Sequence, residues 1–392
     1  MERQILHLNI ANFMASIEEL CSPSLRGEPF IIAPPGEGRT VVFDVSEKAF
    51  REGIRRGMPV DLVRRRMGHI PVIAPRYDRC ARAERELFAL TSRYSPLVEQ
   101  VSGGHLFADI TGMRRLFGNS VDLAARIKRE IWQRMGVQPV TGLAVNRLVS
   151  KVATRVVKPD GFVYVLPGDE RSFMGRQDIG LLPGIGKKLG ERMDILGVRE
   201  IGDLADLSDG NITAALGGRG IKLRDSARGI DFTPVAGASS HGGRIRVERI
   251  LDRDVMDTGE MTACLFSLAE EAGMRLRQNN MAARSVEIGL MYTDGKNEGA
   301  AVRLPRHTFT DREIFDAARS LLLKSLRRRV RIRKLSLSLA GLLAGCIQLD
   351  LFVPPEAARA EALQKAVDAV RGRFGEKSLR VGITMMEDRD AR

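Results

Sequence analysis

With 392 residues, 44% of them hydrophobic, the chain is too long for one ordinary core and implies two or more domains. Its 62 lysines and arginines against 49 aspartates and glutamates leave a net charge of +13, which favours a polyanionic partner, nucleic acid before membrane. Four scattered cysteines (Cys21, Cys80, Cys264, Cys346) have neither metal-ligand spacing nor disulfide density, so a reducing cytoplasm is expected. No signal-peptide pattern opens the chain, and its most apolar stretch, residues 335–347, spans 13 residues with two serines, too short for a bilayer.

Residues 5–10 predict a buried strand, and 13–20 a helix with Phe13, Ile17 and Leu20 on one face. Strands follow at 29–33 and 40–45, split by the turn Pro34-Pro35-Gly36-Glu37-Gly38. Residues 82–94 predict a helix with Leu87, Leu90 and Tyr94 inward, 104–111 a strand, and 121–135 a helix closing on Gly136. A strand at 140–144 feeds a helix at 147–156. Past Lys158-Pro159-Asp160-Gly161 the texture changes to short helices with glycine turns over 166–230, then a flexible linker at 237–243. From 244 to 345 the pattern is β-α-β-β-α-β, with strands near 244–250, 284–292, 300–305 and 329–340 and helices near 259–278 and 311–327. An amphipathic helix is expected around 357–374.

Several stretches form an ordered series. Ile5-Leu6-His7-Leu8-Asn9 and Ser102-Gly103-Gly104-His105-Leu106-Phe107-Ala108-Asp109 resemble the two metal-binding strands of the Y-family (DinB-like) translesion DNA polymerases. Gly53-Ile54-Arg55-Arg56-Gly57-Met58-Pro59 and Pro75-Arg76-Tyr77-Asp78 resemble that family's fingers and the return to its palm. Gly142-Leu143-Ala144-Val145-Asn146-Arg147-Leu148, Lys151 and Lys158-Pro159-Asp160-Gly161 match the second half of the palm, and Leu182-Pro183-Gly184-Ile185-Gly186-Lys187 the helix-hairpin-helix of the thumb. The resemblance covers roughly residues 4–375 and implies a multi-domain α/β right hand. It places the palm at 1–10 and 77–165, fingers at 11–76, thumb at 166–236, little finger at 244–345 and a tail at 346–392.

The departures cluster where the family does its chemistry. The family carries metal-binding carboxylates where this chain has Asn9, Gly104 and His105, and an amide, a glycine and an imidazole cannot hold Mg²⁺ over attacking and leaving oxygens. The Thr, Tyr and Arg that hold the family's incoming triphosphate correspond to Asp44, Glu47 and Phe50, and the aromatic that excludes ribonucleotides to Met14. Two acids would repel a triphosphate, and Phe50 lacks the bidentate fork of an arginine. Only Lys158 keeps its phosphate-binding identity. No catalytic residue and no resident cofactor are therefore expected, with Mg²⁺ reserved for an alternative: an active translesion polymerase with a metal site relocated to Asp44, Glu47, Glu18 and Asp109.

Three other elements keep a legible purpose. Gly184 and Gly186 turn the backbone into a helix N-terminus where phosphate can sit, with Lys187 and Lys188 beside it. Arg327, Arg329, Arg331 and Arg333 share one face if the run 327–334 is a strand, and Arg244 and Arg246 could extend that DNA-gripping face. Gln348-Leu349-Asp350-Leu351-Phe352 matches the bacterial sliding-clamp-binding pentapeptide, and Val353-Pro354-Pro355 ends any ladder behind it. The combined expectation is a catalytically impaired, cytoplasmic adaptor in DNA repair, mutagenesis and the SOS response, in the manner of ImuB-type proteins. Its expected partners are primer–template DNA, damaged DNA included, the sliding clamp, a second error-prone polymerase and a RecA-like accessory protein. The long C-terminal extension expected of ImuB-type chains is absent from the sequence, and a clamp-and-DNA-binding decoy is the third reading.

Overall fold

The computed structural model describes residues 2–34, 40–237, 244–344, 355–375, 378–379 and 381–382. They divide into two compact units, Met1–Ala238 and Ser239–Arg392.

In the first unit a five-stranded sheet runs in the order Leu97–Ser102, His105–Asp109, Ile5–Asn9, Val140–Ala144, Phe162–Tyr164. Neighbours are antiparallel except the last pair. Period-two alternation sorts the two central strands. Leu6, Leu8, Leu106 and Ala108 face the helices Tyr77–Ser92 and Ser120–Met135 and share a core with Leu87, Leu90, Leu123, Ile127 and Ile131. The register pairs Asn9 with His105 and His7 with Phe107, so these four share the opposite face. The helix Arg147–Val156 lies close to the sheet: a Cβ added at Gly142 would sit 2.2 Å from the Ser150 carbonyl oxygen. Glycine is what lets this helix approach.

The expected strands at 29–33 and 40–45 shrink to Ile31–Ile32 and Asp44–Val45, which join Val72–Ile73 in a small three-stranded sheet. Residues 35–38 of the intervening turn lie outside the described residues. Helices Glu47–Arg51 and Val60–Met67 complete this subdomain around Ile31, Val45, Ala49, Ile54 and Val63. Beyond Tyr164, short helices from Glu170–Gly175 to Gly218–Ala227 gather Met174, Leu182, Met193, Leu204 and Ile212.

The second unit is an antiparallel sheet in the order Asn297–Thr308, Met281–Tyr292, Ile332–Ala340, Ile245–Val255. Helices Thr258–Gln278 and Asp311–Ser325 share its core with the cross-strand pairs Val286/Leu339, Ile288/Leu337 and Leu290/Leu335. The helix Pro355–Phe374 is tied on by side chains: Arg277 pairs with Asp311 and Asp368, Arg371 pairs with Glu270, and Gln364 Nε2 donates to Asp311 Oδ2 at 3.0 Å.

One expected strand begins late. The ladder starts at Ile332, so Arg327, Arg329 and Arg331 precede it and share no strand face with Arg333. Leu326 and Val330 pack against the core from this segment, but strand pairing begins only at Ile332, so alternation of charge alone does not make a ladder. Arg327, Arg329 and Arg331 are exposed, while Arg333 is half-buried and pairs with Asp254 at 3.5 Å.

Candidate functional site

The two metal-strand stretches and the fingers segment meet at one cleft of about 480 Å³. Asn9, Asn12, Glu47, Phe50, Arg55, Arg56, His105 and Lys158 are among its lining residues. Asn9 and His105 are there because they are register partners at the ends of adjacent strands. Asn9 is 1% exposed, and neither its amide nitrogen nor its oxygen has a hydrogen-bond partner among the described residues.

Gly104 is held by the turn. Gly103 and Gly104 form the two-residue connection between Leu97–Ser102 and His105–Asp109, with φ of +53° and +75°. Tight hairpin loops with positive φ at both central residues favour glycine at each. A Cβ at Gly104 would also meet Phe13 Cδ2 at 2.6 Å and Ile10 Cβ at 3.2 Å.

A short polar relay ends at His105. Thr154 Oγ1 donates to the Lys151 carbonyl, so it accepts from His7 Nδ1 at 2.8 Å. His7 Nε2 then accepts from His105 Nδ1 at 3.4 Å, leaving His105 Nε2 as an acceptor. Burial, reinforced by Lys158, Lys151, Arg56 and Arg155, lowers the His105 pKa to about 4. Burial, then His105 and Lys151, hold His7 well below its ordinary value. Both imidazoles are neutral at pH 7. Lys158 is lowered by burial, then by Arg56 and Arg155, so this is a crowded cationic wall.

The acids in the fingers play other parts than expected. Asp44 is 1% exposed and does not line the cleft. Its Oδ2 accepts from the backbone N–H of Met14 at 2.8 Å, at the start of the helix Phe13–Cys21, and its Oδ1 takes Arg56 at 2.7 Å. A carboxylate at a helix N-terminus is stabilising by about 0.3–1 kcal/mol, more when partly buried. The expectation that Asp44 repels a triphosphate is thereby corrected, because its charge is taken up by Arg56 and the helix end. Met14 contributes that backbone N–H and is not among the lining residues. Glu47 does line the cleft, held by Arg51 at 3.2 Å, and Phe50 stacks under Arg55 with 3.9 Å to the ring centroid.

The relocated acidic site does not assemble. Glu18 is buried against Arg79 at 2.9 Å, and Asp109 sits at the far end of its strand from His105, capping the Thr111 N–H at 3.0 Å. Among the described residues no three His, Cys, Asp or Glu side chains group to hold a metal ion. Arg55 and Arg56 line the cleft and His7 supports His105, although the sequence motifs that contain them single out none of the three. The run of two arginines in Gly53-Ile54-Arg55-Arg56-Gly57 was the available signal.

The remaining expected residues stand apart from the cleft. Gly186 caps the helix Lys187–Ile195 with no side-chain cap bond, and Gly184, Gly186, Lys187 and Lys188 are all exposed. Arg244 pairs with Glu287 at 2.9 Å and Arg246 with Glu248 at 3.2 Å, so that sheet carries both signs of charge. Gln348, Leu349, Asp350, Leu351 and Phe352 lie outside the described residues, as do 238–243 of the expected linker. No helix among the described residues is long and apolar enough to cross a membrane.

This arrangement of sheet, small fingers-like sheet and helical cluster is the right-hand fold of Y-family polymerases. A Y-family DNA polymerase chimera of Dbh and Dpo4 matches with a TM-score of 0.76 over 87% of this chain and 100% of that one, at 19% identity. DinB from Sulfolobus solfataricus matches with a TM-score of 0.64, at 19% identity, over 87% of this chain and 100% of that one. Models of the impB/mucB/samB family and of its C-terminal domain match residues 8–155 and 244–351. A protein named DNA polymerase IV from Halorhodospira halophila is 32% identical over 89% of this chain and 98% of its own. Another of that name, from Desulfatibacillum aliphaticivorans, is 33% identical over 95% of each chain. The chain belongs to the DinB-like branch of the Y-family of translesion DNA polymerases.

That membership corrects one expectation, the absence of any cofactor. The relatives are named DNA polymerases, and polymerases join nucleotides through divalent metal ions, so Mg²⁺ belongs to the reaction of this family. The residues at Asn9, Gly104 and His105 do not fit that ion. They supply one amide oxygen and one neutral imidazole, beside Lys158 and Arg56, where a hard cation wants anionic oxygens.

Proposed function

We propose that this chain is a DNA-binding, sliding-clamp-binding Y-family protein of cytoplasmic DNA damage tolerance whose own polymerisation is impaired, and that it acts as an adaptor for a separate error-prone polymerase. The observation that carries the reading is the meeting of Asn9 and His105 in one cleft beside Lys158, with Gly104 in the hairpin turn that leads into His105. The palm is assigned to 1–10 and 77–165, fingers to 11–76, thumb to 166–236, little finger to 244–345 and a clamp-binding tail to 346–392. The solved relatives include an insertion ternary complex of Dbh DNA polymerase, which supports primer–template DNA as partner. The pentapeptide Gln348-Leu349-Asp350-Leu351-Phe352 supports the clamp. A RecA-like accessory protein and an SOS setting complete the proposal.

The test is primer extension with Mg²⁺ and with Mn²⁺ beside a competent polymerase. The purified chain is expected to shift primer–template in a binding assay and to leave the primer unextended. Template-dependent incorporation that disappears on Glu47→Ala or Asp109→Ala would overturn the reading and favour an active enzyme with a rearranged site.

DNA affinity is expected to fall steeply with salt and to show little sequence preference, because the contacts proposed for Lys187, Lys188, Arg327, Arg329 and Arg331 go to phosphates. Replacing Arg329 and Arg331 together by Ala should reduce the slope of log affinity against log salt by about 0.7–0.9 per lost contact. Adding Arg333→Ala should change it less, since that guanidinium already faces Asp254. An unaltered slope in the double variant places the DNA surface elsewhere.

A further inference from the structure

The helix Pro355–Phe374 is turned inside out. Its buried side chains are polar, Gln364 and Arg371, and together with Asp368 they reach Asp311, Glu270 and Arg277. None of its apolar side chains joins the core of the second unit. Leu363 is 66% exposed, Val370 36% and Phe374 67%, with Val367 half-buried beside them. These four recur at intervals of four, three and four residues, so on an α-helix they form one stripe with the spacing of a coiled-coil seam. A surface helix normally buries such a stripe and leaves its polar face in water. Here ion pairs and hydrogen bonds hold the polar face down, and the stripe has no apolar partner among the described residues.

Charge says what would cover it. Arg359 and Arg373 lie along the edge of the stripe that points away from Gln364 and Arg371, both exposed and without an ion pair among the described residues. Between them Ala362 and Ala366 are exposed and small, which lets a second helix come close. The acid of the last three turns, Asp368, is turned inward to Arg277. An antiparallel pairing with a second copy of this chain would set arginine against arginine along that edge, which is unfavourable. The complement is an apolar stripe edged with acids.

We propose that the outward stripe of the helix Pro355–Phe374 is a docking seam for an amphipathic helix of a partner protein, one that carries Asp or Glu beside its own apolar stripe. Leu363, Val367, Val370 and Phe374 supply the side chains that interlock, and Arg359 and Arg373 set the orientation and reject basic helices. The polar network beneath keeps the helix seated while its apolar side is engaged. Such a seam serves equally a chain that extends primers and one that does not, so it stands or falls apart from the impaired-polymerase reading.

The experiment is fluorescence anisotropy with two labelled designed peptides of about three heptads, identical in their leucine stripe but edged with Glu in one and Lys in the other, titrated with the full chain. The glutamate peptide is expected to bind, and the lysine peptide to bind about tenfold more weakly or not at all. Leu363→Ser with Phe374→Ser should weaken the glutamate peptide by about tenfold or more. Arg359→Glu with Arg373→Glu should reverse the preference between the two peptides. Both variants leave Gln364, Asp368 and Arg371 in place, and unchanged proteolysis of the helix checks that it is still seated; the charge reversal keeps the test decisive if the serine variant loosens it. Arg329→Ala with Arg331→Ala should alter nothing, which separates the seam from general attraction of acid to a basic chain. No binding of the glutamate peptide, equal binding of both peptides, or wild-type affinity in the serine variant would overturn the proposal. So would a rival occupant, found as self-association or as flotation with phosphatidylglycerol vesicles that the serine variant abolishes, or as peptide binding seen only after removal of residues 383–392.

Discussion

Restoring the family's carboxylates by Asn9→Asp, Gly104→Asp and His105→Glu together is expected to yield a less stable protein and no robust synthesis, with Gly104→Asp causing most of the loss. Two of the changes enter a favourable field. Carboxylates at positions 9 and 105 would face Lys158, with Arg56 and Lys151 close behind. Position 104 is different in kind. Its φ of +75° costs a residue with a Cβ about 1–2 kcal/mol, and that Cβ would lie 2.6 Å from a Phe13 ring only 2% exposed. Phe13 cannot swing away without opening the core it shares with Leu8, Ile17 and Leu106. Overpacking of this sort adds about 1–3 kcal/mol, for a total near 2–5 kcal/mol. Urea denaturation should therefore find Asn9→Asp with His105→Glu close to wild type and Gly104→Asp far below it. Wild-type stability in the Gly104 variant, or robust extension by the triple variant, would show that the hairpin readily gives way.

The same residues show what could be read from the chain alone. Strand Val140–Ala144 and helix Arg147–Val156 fall where local pattern put them, because alternation and 3.6-residue periodicity are local properties. The clustering of Asn9, Gly104 and His105 was legible because each lies inside a motif whose partners are fixed by register. Asp44 was misread because its partners are the Met14 N–H, 30 residues away, and Arg56, and no spacing rule connects them. His7 was missed because a buried imidazole in an apolar strand has no sequence signature until Thr154 and His105 are seen beside it. The arginine run before Ile332 misled in the opposite way: alternate charges imitate a strand face, but the ladder follows Ile332, Leu335, Leu337 and Leu339, which have a core to enter.

Arg277→Ala should be strongly destabilising in the second unit. Its guanidinium holds Asp311 and Asp368 together, linking the helix Asp311–Ser325 to the helix Pro355–Phe374, and it also donates to the Phe309 carbonyl at 2.7 Å. Asp311 has a side chain only 9% exposed, and burial raises its pKa even with Arg277 opposing the shift. Removing the arginine leaves that carboxyl buried with Gln364 as its remaining side-chain partner, and breaking a buried pair from one side typically costs about 3–5 kcal/mol. Arg277→Lys should recover only part of this, since one ammonium cannot serve two carboxylates and a carbonyl in the plane of a guanidinium. Proteolysis offers a local readout: cleavage within the helix Pro355–Phe374 should accelerate in Arg277→Ala well before the sheet unfolds, because three of the side chains that tie it down are Gln364, Asp368 and Arg371. Equal protection of that helix in wild type and variant would mean that apolar contacts, and not the ion network, hold it.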